Sequence, residues 1–298
     1  MILLFKKYDL SFLDVELSED LENIQLKVKD TDDKKLLTDY EETTVTNERR
    51  EILKSYSKLV NDSTRDGIIN FQGYLYPPVF IKCIYNDYIG RGGRIYAQWQ
   101  NMKGTDRKKI TIDNSEVVEV DIRSCSLRIA THLLNLDLEQ DDLYQIGSYD
   151  RSHVKPIVQE MLNMTDGRTL KQRFNDISNT KAVQKELDTN DTEYIKTVAR
   201  DIYDYYDTDE MNKLSSTLFF KDKGMTLIMP VESAVTMDVI KDFTDDNEII
   251  LTVHDSFICK KELLSKLIKS LVTNYSKHLH HQPIITREDK VIDISSYS

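Results

Sequence analysis

The sequence predicts an α+β fold. Three observations carry that prediction. A strongly charged stretch with helical runs occupies 15–65. Short β-rich runs cluster at 79–122 and return at 248–259 and 284–294. Between the two groups lies a polar, mostly helical stretch, 137–225. Strands gathered on either side of a block of helices, instead of alternating with them one by one, form the α+β pattern.

The first helical run, 47–60, sets Glu48, Arg49, Arg50, Glu51, Lys54 and Lys58 around Ile52, Leu53 and Leu59. Tyr74-Leu-Tyr-Pro-Pro78 breaks this pattern, because two consecutive prolines cannot continue a helix, and a boundary is expected near 75. Strands are expected at 79–84, 94–99, 110–112 and 117–122, and a helix-like run follows at 125–134. The runs 248–253 and 257–259 read as two strands joined by a tight turn at His254-Asp255. A helix follows at 262–277, with Leu263, Leu264, Leu267, Ile268, Leu271, Val272 and Tyr275 on one face. The tail 284–294 reads as a strand. The chain thus divides into a helical part, 1–75, and a sheet-bearing part, 76–298, with helices inserted at 136–225.

At 298 residues and 40% hydrophobic, the chain is long and apolar enough for a packed core. No apolar stretch reaches the roughly 18 residues that a membrane span requires. The run Met-Ile-Leu-Leu-Phe at 1–5 precedes Lys6 and Lys7, an order opposite to that of a signal peptide. Cys83, Cys125 and Cys259 are scattered without metal spacing, which fits small core residues in a reducing cytoplasm.

The net charge of −11 argues against nucleic acid as a partner, but the local distribution does not. Arg91, Arg94, Lys103, Arg107, Lys108 and Lys109 stand against one acid, Asp106, with Tyr96 and Trp99 between them. Basic and aromatic residues in one segment suit a surface that tracks a nucleic-acid strand. A solvated loop has the same composition.

Two acids are singled out by context. Asp121 ends the strand-like run Val117-Val-Glu-Val-Asp121, and Asp255 occupies the turn between two apolar strands. Two such carboxylates brought together repel, and a cation resolves the repulsion. Oxygen ligands favour Mg²⁺ or Mn²⁺, and two-metal phosphoryl transfer uses such a pair. Each residue also has an ordinary reading, Asp121 as a helix N-cap and Asp255 as a turn former.

The combination of segments resembles the family A DNA polymerases and the related phage single-subunit RNA polymerases. Asp121-Ile-Arg-Ser-Cys-Ser-Leu-Arg-Ile-Ala-Thr-His-Leu133 is similar to motif A, with Asp121, Leu127, Arg128, His132 and Leu133 in register. Thr252-Val-His-Asp-Ser-Phe257 resembles motif C. Arg151-Ser-His-Val-Lys155 resembles the Arg-x-x-x-Lys of motif B. Gly93-Arg-Ile-Tyr-Ala97 and Gln98-Trp-Gln-Asn101 resemble the segment that precedes motif A. Pro230-Val-Glu232 and Asp238-Val-Ile-Lys241 resemble the helix before motif C. The matches stand in the family's order across 90–258.

The resemblance implies a right-hand polymerase core. Its antiparallel palm sheet would come from 76–135 and 226–298, its reduced helical fingers from 136–225, and a small thumb-like helical part from 1–75. It implies two Mg²⁺ ions, with Mn²⁺ as a substitute, on Asp121, Asp255 and the Ile122 carbonyl. One activates the primer 3′-hydroxyl and the other neutralises the triphosphate. Arg151 and Lys155 would face the triphosphate, and Arg94, Gln100, Asn101 and His254 the nucleic acid. Two departures concern the sugar: Ser126 stands where the DNA polymerases have Glu, and Asn163 where motif B has Tyr. Both open the pocket toward ribonucleotides, and so toward primer synthesis. Pro156, directly after Lys155, predicts a helix that begins near Ser152 or His153 and leaves Arg151 outside.

The small primase-polymerases of mobile elements are the class most similar. They imply a single-stranded DNA template and primer, NTPs or dNTPs, a small single-strand-binding accessory protein and a replicative helicase. The alternatives are a primer-dependent gap-filling polymerase, a catalytically degenerate binding module and a nuclease. A nuclease leaves Arg151, Lys155 and Gly93-Arg94 unexplained.

Overall fold

A computed structural model of the chain describes residues 23–29, 35–164, 169–207 and 224–297. The 1–7 run and parts of the 15–65 and 137–225 stretches lie outside these residues. The described chain is α+β. In order come β1 (Ile24–Lys29), β2 (Lys35–Thr38), α1 (Thr44–Arg65), β3 (Ile69–Asn70), β4 (Ile81–Asn86) and β5 (Tyr88–Ala97). Then follow α2 (Gly104–Arg107), β6 (Thr111–Ile112), β7 (Ser115–Ile122) and α3 (Cys125–Leu133). Four helices come next: α4 (Arg151–Asn163), α5 (Leu170–Asn179), α6 (Lys181–Glu186) and α7 (Thr192–Tyr206). The last part holds α8 (Gly224–Asp245), β8 (Ile250–Val253), β9 (Ser256–Lys260), α9 (Leu264–Leu279), β10 (Ile285–Arg287) and β11 (Lys290–Val291).

The strands form two sheets. One has the order β2-β1-β4-β5, with β1 parallel to β4 and the other pairs antiparallel. The N-terminal part read as helical does hold α1, but it is not helical alone, because β1 and β2 join this sheet. Its signal was Ile24-Gln-Leu-Lys-Val28, a period of two in which Ile24 and Leu26 are buried. The charge density around that run masked it.

The other sheet is antiparallel throughout and is organised on β7. Strand β9 pairs along Val117–Asp121, β10 pairs at Asp121 and Ile122, and β6 pairs at Ser115 and Glu116. Strand β8 pairs with β9, while β3 and β11 form the outer edges.

Helix α1 opens on a capping box at Thr43 and Thr46. It buries Leu53, Tyr56 and Val60, and the Tyr56 hydroxyl donates to the Ile250 carbonyl at 2.6 Å, tying α1 to β8. Helix α8 packs on β5, α1, α3 and α9 and so joins the two sheets. Helix α9 buries Leu267, Ile268, Leu271, Val272 and Tyr275, the stripe read from the sequence.

Helix α4 starts at Arg151, earlier than Pro156 suggested. Asp150 is the reason: its side chain accepts from the Ser152 amide at 2.7 Å and caps the helix. Within α4, Pro156 forgoes only the bond its missing N–H would have made to the Ser152 carbonyl. Among the described residues no helix is long and apolar enough to cross a membrane, and all three cysteines are free and buried.

Candidate active site

Strand β7 carries Asp121 to its C-terminal end, and the β8–β9 hairpin carries Asp255 to its tip. The ladder places Asp121 opposite Ser256, and the Ile122 amide donates to the Asp255 carbonyl at 3.2 Å. Asp255, in the turn next to Ser256, is thus one position from the residue opposite Asp121. His254 supplies the positive φ, 57°, that lets the hairpin turn in two residues. The Ser256 hydroxyl donates to Asp121 at 2.8 Å. Asp121 is not a helix cap, since Ser124, at φ 52°, precedes α3.

Burial, and next the charge of Asp255, push the Asp121 carboxyl up to about 7 from 3.8; Ser256, Lys155 and Arg151 pull it down. This is an excess of negative charge, met on the α4 side by two cations. Arg151 and Lys155 therefore reach Asp121 electrostatically. Arg151 was expected outside its helix, yet it is the first helical residue and its charge is felt at Asp121.

The donor set suits a hard divalent cation: two carboxylates and, at the end of β7, the Ile122 carbonyl. The raised Asp121 carboxyl is the strain that such a cation relieves. Among the described residues no group of three or more His, Cys, Asp or Glu side chains could hold a metal, and this pair contributes two.

Arg94 lies beside the hairpin. Its Nε and Nη2 donate to the two oxygens of Glu232 on α8 at 2.8 and 2.7 Å. Burial raises the Glu232 carboxyl and Asp255 adds to this, while Arg94 opposes both. Burial, then Arg94, lowers the His254 imidazole, and its ring meets Tyr96 edge-on at 6.0 Å. Gln100 donates to the Ile95 and Thr252 carbonyls, both at 3.1 Å, so its amide ties β5 to β8; Asn101 is exposed. A shallow cavity is lined by Arg94, Ile95, Glu232, Ser233, Thr236, Thr252 and His254.

Ser126, in the first turn of α3, is half-buried. Asn163 is exposed at the far end of α4, where its amide donates to the Gln159 carbonyl. It lies two turns, about 12 Å, beyond Lys155. Arg128 and His132, which follow Asp121 in the 121–133 segment, are structural. Arg128 is buried and donates to the Leu138, Gln140 and Asp141 carbonyls. His132 meets the Tyr275 hydroxyl at 2.9 Å, and burial lowers its imidazole to about 4.

The basic segment 91–109 requires a correction. Trp99 is fully buried, stacks on Phe71 with centroids 6.2 Å apart, and donates to the Thr252 carbonyl. Arg91, Arg94, Arg107, Lys108 and Lys109 each pair with an acid. Asp87 and Asp106 are close in sequence, Glu119 lies 12 positions from Arg107, and Glu232 and Glu288 come from far along the chain, where a linear reading cannot see them.

Sequence reasoning missed Asp142. It accepts from Arg151, Arg123 and Ser124, within a polar stretch that offers no periodic signal. Ser256 was quoted within motif C without a role. No family model and no curated protein matches the sequence.

Proposed function

We propose that this chain is a template-directed nucleotidyltransferase of the family A polymerase type. In this reading it is a primase-polymerase that makes short primers on single-stranded DNA with relaxed sugar selection. The observation that carries the reading is the Asp121–Asp255 pair, one acid at the end of β7 and the other in the adjoining β8–β9 turn, with Asp121 also under the charge of Arg151 and Lys155. The β7-centred sheet is then the palm, α4–α7 are the reduced fingers, and the part around α1 is thumb-like.

Asp121, Asp255 and the Ile122 carbonyl would hold Mg²⁺, or Mn²⁺ in its place. Bound there, the metal ions supply a more acidic primer 3′-hydroxyl and charge neutralisation at the triphosphate. Arg151 and Lys155 bind triphosphate oxygens and stabilise charge that develops there. Ser126 leaves room beside the sugar that a glutamate would fill, and Asn163 widens the same pocket. Arg94, Gln100, Asn101 and His254 border the primer–template end, with Arg94 held in place by Glu232. The partners in this reading are single-stranded DNA, NTPs or dNTPs, a single-strand-binding accessory protein and a replicative helicase.

The test is Mg²⁺-dependent synthesis on unprimed single-stranded DNA with labelled NTPs or dNTPs, comparing wild type with Asp255→Ala. Product that is lost in the variant supports the primase-polymerase. Extension only from a supplied primer replaces it with a gap-filling polymerase. Silence on both templates leaves a degenerate fold that binds a replication partner.

A further inference from the structure

Asp142 lies between α3 and α4, outside every motif named above. Its Oδ2 accepts from Arg151 Nε at 2.7 Å and from Arg123 Nη2 at 2.9 Å. Its Oδ1 accepts from the Ser124 hydroxyl at 2.7 Å and from the Tyr144 amide at 3.1 Å. Arg123, which follows β7, is itself braced on the far side by the Asp289 carbonyl at 3.3 Å. The carboxylate is therefore anchored to the end of β7, to the entry of α3 and to its own loop, independently of Arg151. Burial acts to raise the Asp142 carboxyl, but these donors outweigh it and hold the group below its ordinary value.

A second support comes from below. The buried Tyr144 ring lies under the Arg151 guanidinium, 5.2 Å from its centroid. One contact fixes Nε and the other fixes the plane of the group. Among the described residues neither Nη of Arg151 has a hydrogen bond, and the side chain stays 36% exposed. The free edge thus belongs to a guanidinium whose rotamer is already set. A long side chain ordered in advance loses less entropy when it captures an oxyanion.

We infer that Asp142 is a positioning residue which, with the Tyr144 ring, presents the Nη edge of Arg151 to the polyphosphate of an incoming nucleoside triphosphate. The inference takes its ligand class from the polymerase reading; the geometry of the cradle does not depend on that reading. Two rival roles predict different outcomes. A latch that competes with substrate would be released by Asp142→Asn, and affinity would rise. A purely structural knot would affect stability alone.

The experiment measures inorganic tripolyphosphate binding by calorimetry and, separately, steady-state KM and kcat for nucleotide and KM for primed template. The full chain is used as wild type, Asp142→Asn, Asp142→Glu, Arg151→Ala and the Asp142→Asn/Arg151→Ala double variant. Asp142→Asn is expected to weaken tripolyphosphate and raise nucleotide KM about tenfold, with template KM unchanged and most of the loss in KM. Asp142→Glu restores part of the affinity. The double variant binds no worse than Arg151→Ala, because both act through one guanidinium.

Tighter binding by Asp142→Asn, or a lower melting point with unaltered binding, overturns the inference. If Asp142→Asn does not fold, Arg151→Lys carries the test: it keeps the charge but lacks Nε, and it is expected to lose as much affinity as Arg151→Ala. Wild type that binds tripolyphosphate through Arg151 and Asp142 but incorporates nothing would sink the polymerase reading and leave the positioning role intact.

Discussion

Glu232 grips Arg94 through two hydrogen bonds, at 2.8 and 2.7 Å, from a site where Glu232 is 5% exposed. The pair links α8 to β5 beside the β8–β9 hairpin. Removing one partner strands the other without compensation. Glu232→Ala is expected to destabilise the chain by about 3 kcal/mol, and Glu232→Gln by less, since the amide still accepts one bond. Urea unfolding checks both. Equal stability of Glu232→Ala and wild type would mean that the pair holds nothing together.

The Asp121 carboxyl makes stability depend on pH. Burial and then Asp255 raise it to about 7 in the folded chain, against 3.8 for an ordinary aspartate. The folded chain holds this proton between about pH 4 and pH 7 while the unfolded chain has lost it. Stability is therefore fully present below about pH 4 and falls as pH rises toward 7. Asp121→Asn removes this dependence. In metal-free buffer it is expected to exceed wild type by about 2 kcal/mol at pH 8 and by much less at pH 5. Thermal melts at the two pH values read the gap; a gap that does not change with pH contradicts the strained pair. Mg²⁺ at pH 8 should raise the wild-type midpoint and leave that of the variant in place.

Gly93 is fixed by geometry. Its φ is 80°, and a Cβ there would come within 2.7 Å of Arg49 Nη1 and 2.9 Å of Tyr85 Cε1. The Gly93 carbonyl also accepts from the Ser233 hydroxyl on α8. Gly93→Ala is expected to cost about 2 kcal/mol, from left-handed strain plus displacement of Arg49. A chemical denaturation midpoint measures it, and a neutral outcome would show that Arg49 can swing away freely.

Under the polymerase reading, Ser126→Glu is expected to cut ribonucleotide incorporation at least tenfold and to leave deoxynucleotide use nearly unchanged. Parallel steady-state assays with NTPs and dNTPs decide it. A wild type that uses no ribonucleotides removes Ser126 from any role in sugar choice.

Much of the fold was legible because its strands and helices carry clean periods. The alternation in β4, the apolar run in β8 and the stripe of α9 each announce themselves locally. Asp121 and Asp255 were legible for a related reason, since each breaks an apolar pattern at a strand end. What stayed hidden depends on partners distant in sequence. Trp99 read as part of a strand-tracking surface because its neighbours are basic, but it stacks on Phe71 and donates to the Thr252 carbonyl inside the core. Asp142 looked like one acid among several, and its meaning comes from Arg123 and Arg151. The start of α4 turned on whether the Asp150 side chain would cap it, which outweighed the warning from Pro156.

The position of β7 has a consequence for the timing of synthesis. Its partners β9 and β10 both come later in the chain, and Ser256, the residue opposite Asp121, is 135 positions downstream. A nascent chain on the ribosome therefore carries Asp121 for a long interval without Asp255. At roughly 5–20 residues per second that interval lasts several seconds or more. The acid pair is completed late, when the β8–β9 hairpin emerges and pairs with a strand made long before.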